Sequence, residues 1–182
     1  MNAYAILGIP EGLLLTEDEI RTAFREAGKR VHPDAGGGEG EFAALKEAQS
    51  LLSSPSKRLR HWLELRGLEI ETRGVIGGEL MQLFSEVGAV NQRADYVVRK
   101  REAAQSALAK ALLEGETQVC REEVEGMIGK VDKVIAGECA EFPKWEMEYS
   151  PESKDQMEMA VRNLTFLEKW RASLRAGYSR LV

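Results

Sequence analysis

Apolar residues recur at three- and four-residue intervals through most of the chain, which predicts helices rather than extended sheet. Ile20, Phe24, Ala27 and Val31 share one face of a helix expected over 17–31, and Phe42, Leu45, Ala48 and Leu52 do the same over about 39–52. A shorter apolar set, Leu59, Trp62, Leu63 and Leu65, predicts a third helix, and Tyr4 with Ile6-Leu7-Gly8 a small segment able to pack across the first two. In the second half one long helix is expected over about 79–113 and another over about 117–136, with Cys120, Val124, Met127, Val131 and Val134 inward. A last one, to about residue 178, carries Ala160, Leu164, Leu167, Leu174 and Leu181. Residues 137–150 read as an irregular acidic loop.

End signals sharpen these boundaries. Thr16 followed by Glu19 is a capping box, with Leu15 and Ile20 placed as a hydrophobic staple. Pro33 disfavours helical backbone at His32 and ends the first long helix. Ser54-Pro55 and Ser150-Pro151 are both N-cap and first-position proline pairs, and Gly67 is a stop. Glu114-Gly115-Glu116 predicts the turn between the two long helices of the second half. The fold class is therefore all-α: an N-terminal helical hairpin with short flanking helices over 1–70, a connection over 71–78, and an antiparallel three-helix bundle over 79–182.

Charge and composition narrow the function. With 30 acidic and 25 basic residues the net charge is −5, against the basic excess of a nucleic-acid binder. No apolar run approaches a membrane span, and the start of the chain lacks a basic leader, so a bacterial cytoplasmic location is expected. Cys120 and Cys139 form no CxxC pair and lie far in sequence from His32 and His61, so neither a metal site nor a cofactor is expected.

The informative feature is His32-Pro33-Asp34, between the two helices of the hairpin. Arg21, Arg25 and Lys29 recur every four residues just before it, a cationic row separate from the core face. Proline stiffens the turn, so an imidazole and a carboxylate are presented at low entropic cost beside cations that attract an acidic partner. Three other readings fit the same residues: His32 and Asp34 cap a helix, the row is a solvated face, or the pair is a general-base dyad. No nucleophile accompanies a dyad, and no catalytic residue is assigned. The tripeptide, the row, Leu51-Leu52-Ser53 and Arg58-x-x-x-Trp62 together make residues 1 to about 68 resemble a J-domain. That resemblance implies docking of a seventy-kilodalton heat-shock-type chaperone through His32, Pro33, Asp34, Arg21, Arg25 and Lys29, with stimulation of its ATPase.

From Leu63 onward the chain is similar to the HscB-type iron–sulfur cluster co-chaperones, in Leu63-Glu64-Leu65-Arg66-Gly67-Leu68, Glu79-Leu80-Met81 and the run from Arg162 to Lys169. The resemblance implies a bundle that holds a cluster-assembly scaffold protein through Leu80, Met81, Phe84 and Phe166, the cluster itself belonging to the scaffold. Helical geometry supports part of this: Phe166, Met159 and Trp170 lie off the Leu164-Leu167-Leu174 stripe, and Met81 lies off the Leu80-Leu83-Val87-Ala94 face. A broad core would bury Met159 and Trp170 regardless, and Leu80 reads equally as core. The sequence departs from the family at Ala35, where lysine is usual, at Gly28 inside the preceding helix, and at Ser85 and Gly88, where acids are usual. The expectation is a monomeric, non-enzymatic co-chaperone without nucleic-acid or membrane partners. The alternative is a J-domain protein whose bundle serves another client or oligomerisation.

Overall fold

The computed structural model describes residues 2–31, 39–71, 74 and 77–182. Its regular elements there are all helical, in the order α1 (Ala3–Leu7), α2 (Glu17–Val31), α3 (Glu39–Ser53), α4 (Pro55–Glu64), α5 (Gly78–Ala103), α6 (Ala107–Cys139), α7 (Phe142–Met147) and α8 (Lys154–Leu181). Contacts divide the chain into two units: residues 1–74 with 139–164, and residues 75–138 with 165–182.

In the first unit the hairpin of α2 and α3 closes on α1. Ala3, Tyr4, Leu7, Ile20, Ala27, Leu45, Ala48 and Leu52 make one buried cluster, with Phe24, Val31 and Phe42 packed against it. Local chemistry sets each end. Thr16 Oγ1 accepts from the Glu19 amide (3.2 Å) and Glu19 Oε2 from the Thr16 amide (2.8 Å), the reciprocal pair of a capping box. Asn2 caps α1 by accepting from the amides of Tyr4 and Ala5, and Gly8 leaves it at φ 69°, a left-handed turn that a side chain would strain. Gly67 leaves the end of α4 in the same way at φ 74°. Gly28 does not break α2, which runs on to Val31; the glycine lies 3.9 Å, measured from an added Cβ, from a methyl of Leu45.

The unit reaches beyond the 1–70 segment because α7 and the start of α8 pack into it. Residues 137–150 are not the irregular loop expected from sequence: α6 continues to Cys139, and α7 buries Phe142 and Trp145 on one side. Their i, i+3 spacing, with proline in the first turn, is a helix signal that a short acidic stretch masks. Glu146 Oε2 accepts from the amides of Leu13 (3.0 Å) and Leu14 (3.3 Å), and Tyr149 meets the Trp62 ring edge-on at 6.3 Å. Ser150 and Pro151 lead into a single 3-10 turn before α8 begins at Lys154.

The second unit is an up-down-up bundle of α5, α6 and the latter part of α8. Arg93–Glu123 and Lys100–Glu116 pairs (2.7 and 2.6 Å) run α6 antiparallel to α5, and Arg171–Asp132 (3.2 Å) ties α8 to α6. Leu83, Val87, Ala94, Val124, Val131, Leu167, Leu174 and Leu181 are buried, in agreement with their spacing. The turn, however, is not where the sequence pattern puts it. It falls at 104–106, and Glu114-Gly115-Glu116 lies inside α6. Ser106 supplies the cap, its Oγ accepting from the Ala109 amide (3.1 Å), while Glu114 and Glu116 are held by Arg121 and Lys100. One internal glycine costs a helix only about 1 kcal/mol, a penalty that a 33-residue helix packed in a bundle absorbs.

Candidate functional site

Two surfaces carry the candidate residues, one on each unit. On the first, the buried Ile20–Ala27 face fixes the roll of α2 and so directs Arg21, Arg25 and Lys29 outward as a row. Arg21 pairs with Asp18 and Lys29 with Glu26 (2.8 Å) in their own helix, and both cations remain about two-thirds exposed. Arg25 is exposed. Surface pairs of this kind are weak, so the row remains available to a partner. His32, Pro33 and Asp34, which follow the row in sequence, lie outside the described residues.

Polar side chains that leave no periodic mark in the sequence hold the frame of that unit. Arg58 is 7% exposed and donates from Nη1 to the carbonyls of Leu52 (2.9 Å) and Leu15 (3.1 Å), joining the end of α3 to the start of α2. His61 Nε2 accepts from the Ala3 amide (3.1 Å), its ring stacked on Tyr4 at 5.7 Å. Burial holds the His61 pKa below its ordinary value, against the opposing pull of Glu64. Tyr4 donates to the Gly12 carbonyl (2.9 Å), and burial pushes its hydroxyl pKa up to about 12. Glu146 on α7 completes the set through its two main-chain amides. Each of these side chains engages main-chain atoms distant in sequence or beyond its own helix, so no repeat betrays it.

On the second unit, Met81 and Phe84 project from α5 at 49% and 51% exposure. Phe84 packs on Trp170 of α8 (centroids 5.6 Å apart), and Phe166 packs on the same ring at 6.2 Å. Trp170, 9% exposed, is thus the floor of an aromatic patch whose upper edges are Phe84 and Phe166, with Met81 exposed one turn before Phe84 on α5. Leu80 is 7% exposed and belongs to the core beside the patch, as Leu83 does. Met159, off-stripe by the same geometry as Trp170, is instead half-exposed, in the first unit.

Comparison with known proteins places the N-terminal segment. Residues 2–61 match the DnaJ domain family. The chain is 45% identical over 58 residues to the tetratricopeptide repeat and J domain-containing co-chaperone DNJ1 of Cryptococcus neoformans, covering 32% of this chain and 11% of that protein. It is 44% identical over 59 residues to chaperone protein DnaJ of Caldicellulosiruptor bescii (30% and 15%), and 43% over 58 residues to human DnaJ homolog subfamily B member 5 (30% and 16%). It spans at most 16% of the length of these relatives. The chain carries a J-domain at its N-terminal end. Its fold as a whole is of the HscB type: chaperone HscB from Vibrio cholerae superposes with a TM-score of 0.59, covering 100% of both chains at 18% identity.

Among the described residues no helix is long and apolar enough to cross a membrane, and no cluster of histidine, cysteine and acidic side chains could hold a metal ion.

Proposed function

We propose that this chain is a co-chaperone that couples a client to a seventy-kilodalton heat-shock-type chaperone. The J-domain stimulates the chaperone's ATPase through Asp34, His32 and the α2 row, and the aromatic patch of the second unit holds an iron–sulfur cluster assembly scaffold protein. Hydrolysis on the chaperone then promotes transfer of the scaffold's cluster. The observation that carries this reading is the pairing of a J-domain with an HscB-type fold over the full chain.

The chemistry on each unit is that of docking. Exposed cations on a helix fixed by its core face give fast, salt-sensitive association with an acidic surface. A half-exposed methionine and phenylalanine over a buried tryptophan are the makings of an apolar anchor, surrounded by polar residues. The functional residues carry no catalytic step, because the bond is broken in the chaperone's own nucleotide site.

Asp34→Asn abolishes stimulation of the chaperone's ATPase while circular dichroism and scaffold binding stay unchanged. Met81→Ala with Phe166→Ala does the reverse, weakening scaffold binding by about 2–4 kcal/mol and sparing basal stimulation. Retained stimulation by Asp34→Asn refutes the docking role. Unaltered scaffold affinity in the double variant favours a co-chaperone for some other client.

A further inference from the structure

We infer that the partner segment received by the aromatic patch presents an acidic residue beside its apolar anchor, and that Lys169 reads it. The inference rests on the proposed use of this patch as the client site, and it specifies the chemistry of what docks there.

Met81, Phe84, Ser85, Gly88 and Gln92 fall within about 100° of one another on α5. That face therefore runs from the aromatic patch to Gln92 without a charge, and the first charge beyond it, Asp95, is paired with Arg180. The nearest acid on the helix, Glu86, is already engaged: Lys130 and Gln82 both donate to it, and the Lys130 contact holds its carboxyl below the usual range. Glu79 lies at the opposite side of α5, about 170° from the patch. On α8, Lys169 is exposed, its ammonium 5.9 Å from the centre of the Phe166 ring, with no carboxylate partner among the described residues. The surface around the anchor is thus neutral on one helix and cationic on the other.

A basic partner would bring its charge next to Lys169 with no acid on the patch to offset it. An acidic partner gains an ion pair whose apolar surroundings, Phe166 and Trp170, limit its hydration. The occupant is accordingly an apolar protein segment with an aspartate or glutamate at its edge, and the charge selects it over basic segments of equal hydrophobicity.

The test uses the full chain and two synthetic amphipathic helices with the same leucine and methionine positions, one flanked by aspartates and one by lysines. Binding is followed through the backbone amide signals of Phe84, Phe166 and Lys169. The acidic helix binds roughly three- to tenfold tighter at low salt. Lys169→Glu inverts the preference, and Lys169→Arg keeps it. Equal binding, a preference for the basic helix, shifts confined to other residues, or no shift with either helix at millimolar concentration overturns the inference. A chain that selects the acidic helix yet fails to bind a cluster scaffold protein disproves the client assignment and leaves the charge preference standing.

Discussion

His61 illustrates a polar side chain whose role is set by a main-chain atom. Because its Nε2 accepts from the Ala3 amide, a proton added there would confront one donor with another. Burial of the ring, with this clash beside it, makes the folded state bind the proton at lower pH than the unfolded chain does, which titrates near the usual value of about 6.5. The His61 contribution to stability is complete above that value and is lost as pH falls through it toward the depressed folded value. Urea denaturation at about pH 7.5 and about 5.5 is the check: wild type loses more stability than His61→Gln across that interval. An equal loss in both would show that the ring titrates freely. Nothing in the sequence marks this residue beyond its helical spacing; Arg58 is marked by the Arg58-x-x-x-Trp62 pattern, but its donation to distant carbonyls follows no repeat. Thr16 and Glu19, by contrast, are readable because their partners lie three residues apart in the chain.

Helices are legible wherever a core stripe and a local end signal agree. α2, α3 and α4 have both, and their ends fall within a residue or two of expectation. The boundary between α5 and α6 is hidden because Gly115, flanked by two glutamates, imitates a turn, while the actual break carries only Ser106 as punctuation. The neighbours of Gly115 pair with Arg121, seven residues along the same helix from Glu114, and with Lys100 of α5, the second of which forms only in the packed hairpin. A Cβ at Gly115 meets nothing within 4 Å, so Gly115→Ala raises the stability of the chain by about 0.5–1 kcal/mol. Thermal denaturation measures this as an increase in Tm. A neutral or negative change would indicate that a turn stands there after all.

The division of the chain departs from its sequence order: the unit carrying the J-domain also draws in Cys139–Leu164. Periodicity alone assigns those residues wholly to the bundle, because one continuous apolar stripe runs along α8, and a stripe says which face is buried but not which neighbour buries it. A J-domain excised at residue 71 would therefore expose Leu13 and Trp62, both fully buried in the whole chain, and lose the carboxylate that accepts from Leu13 and Leu14. In the intact chain, Glu146→Ala costs about 1–3 kcal/mol and accelerates hydrogen exchange at those two amides while leaving α5 and α6 protected. Uniform exchange rates across both units, or unchanged protection at Leu13, would count against the link.

The three tryptophans of this protein are unequally placed: Trp62 and Trp145 lie in the interior of the first unit, and Trp170 lies beneath the aromatic patch of the second. A guest docking there as proposed changes the surroundings of a single indole, giving the proposal an intrinsic optical gauge of occupancy that requires no dye.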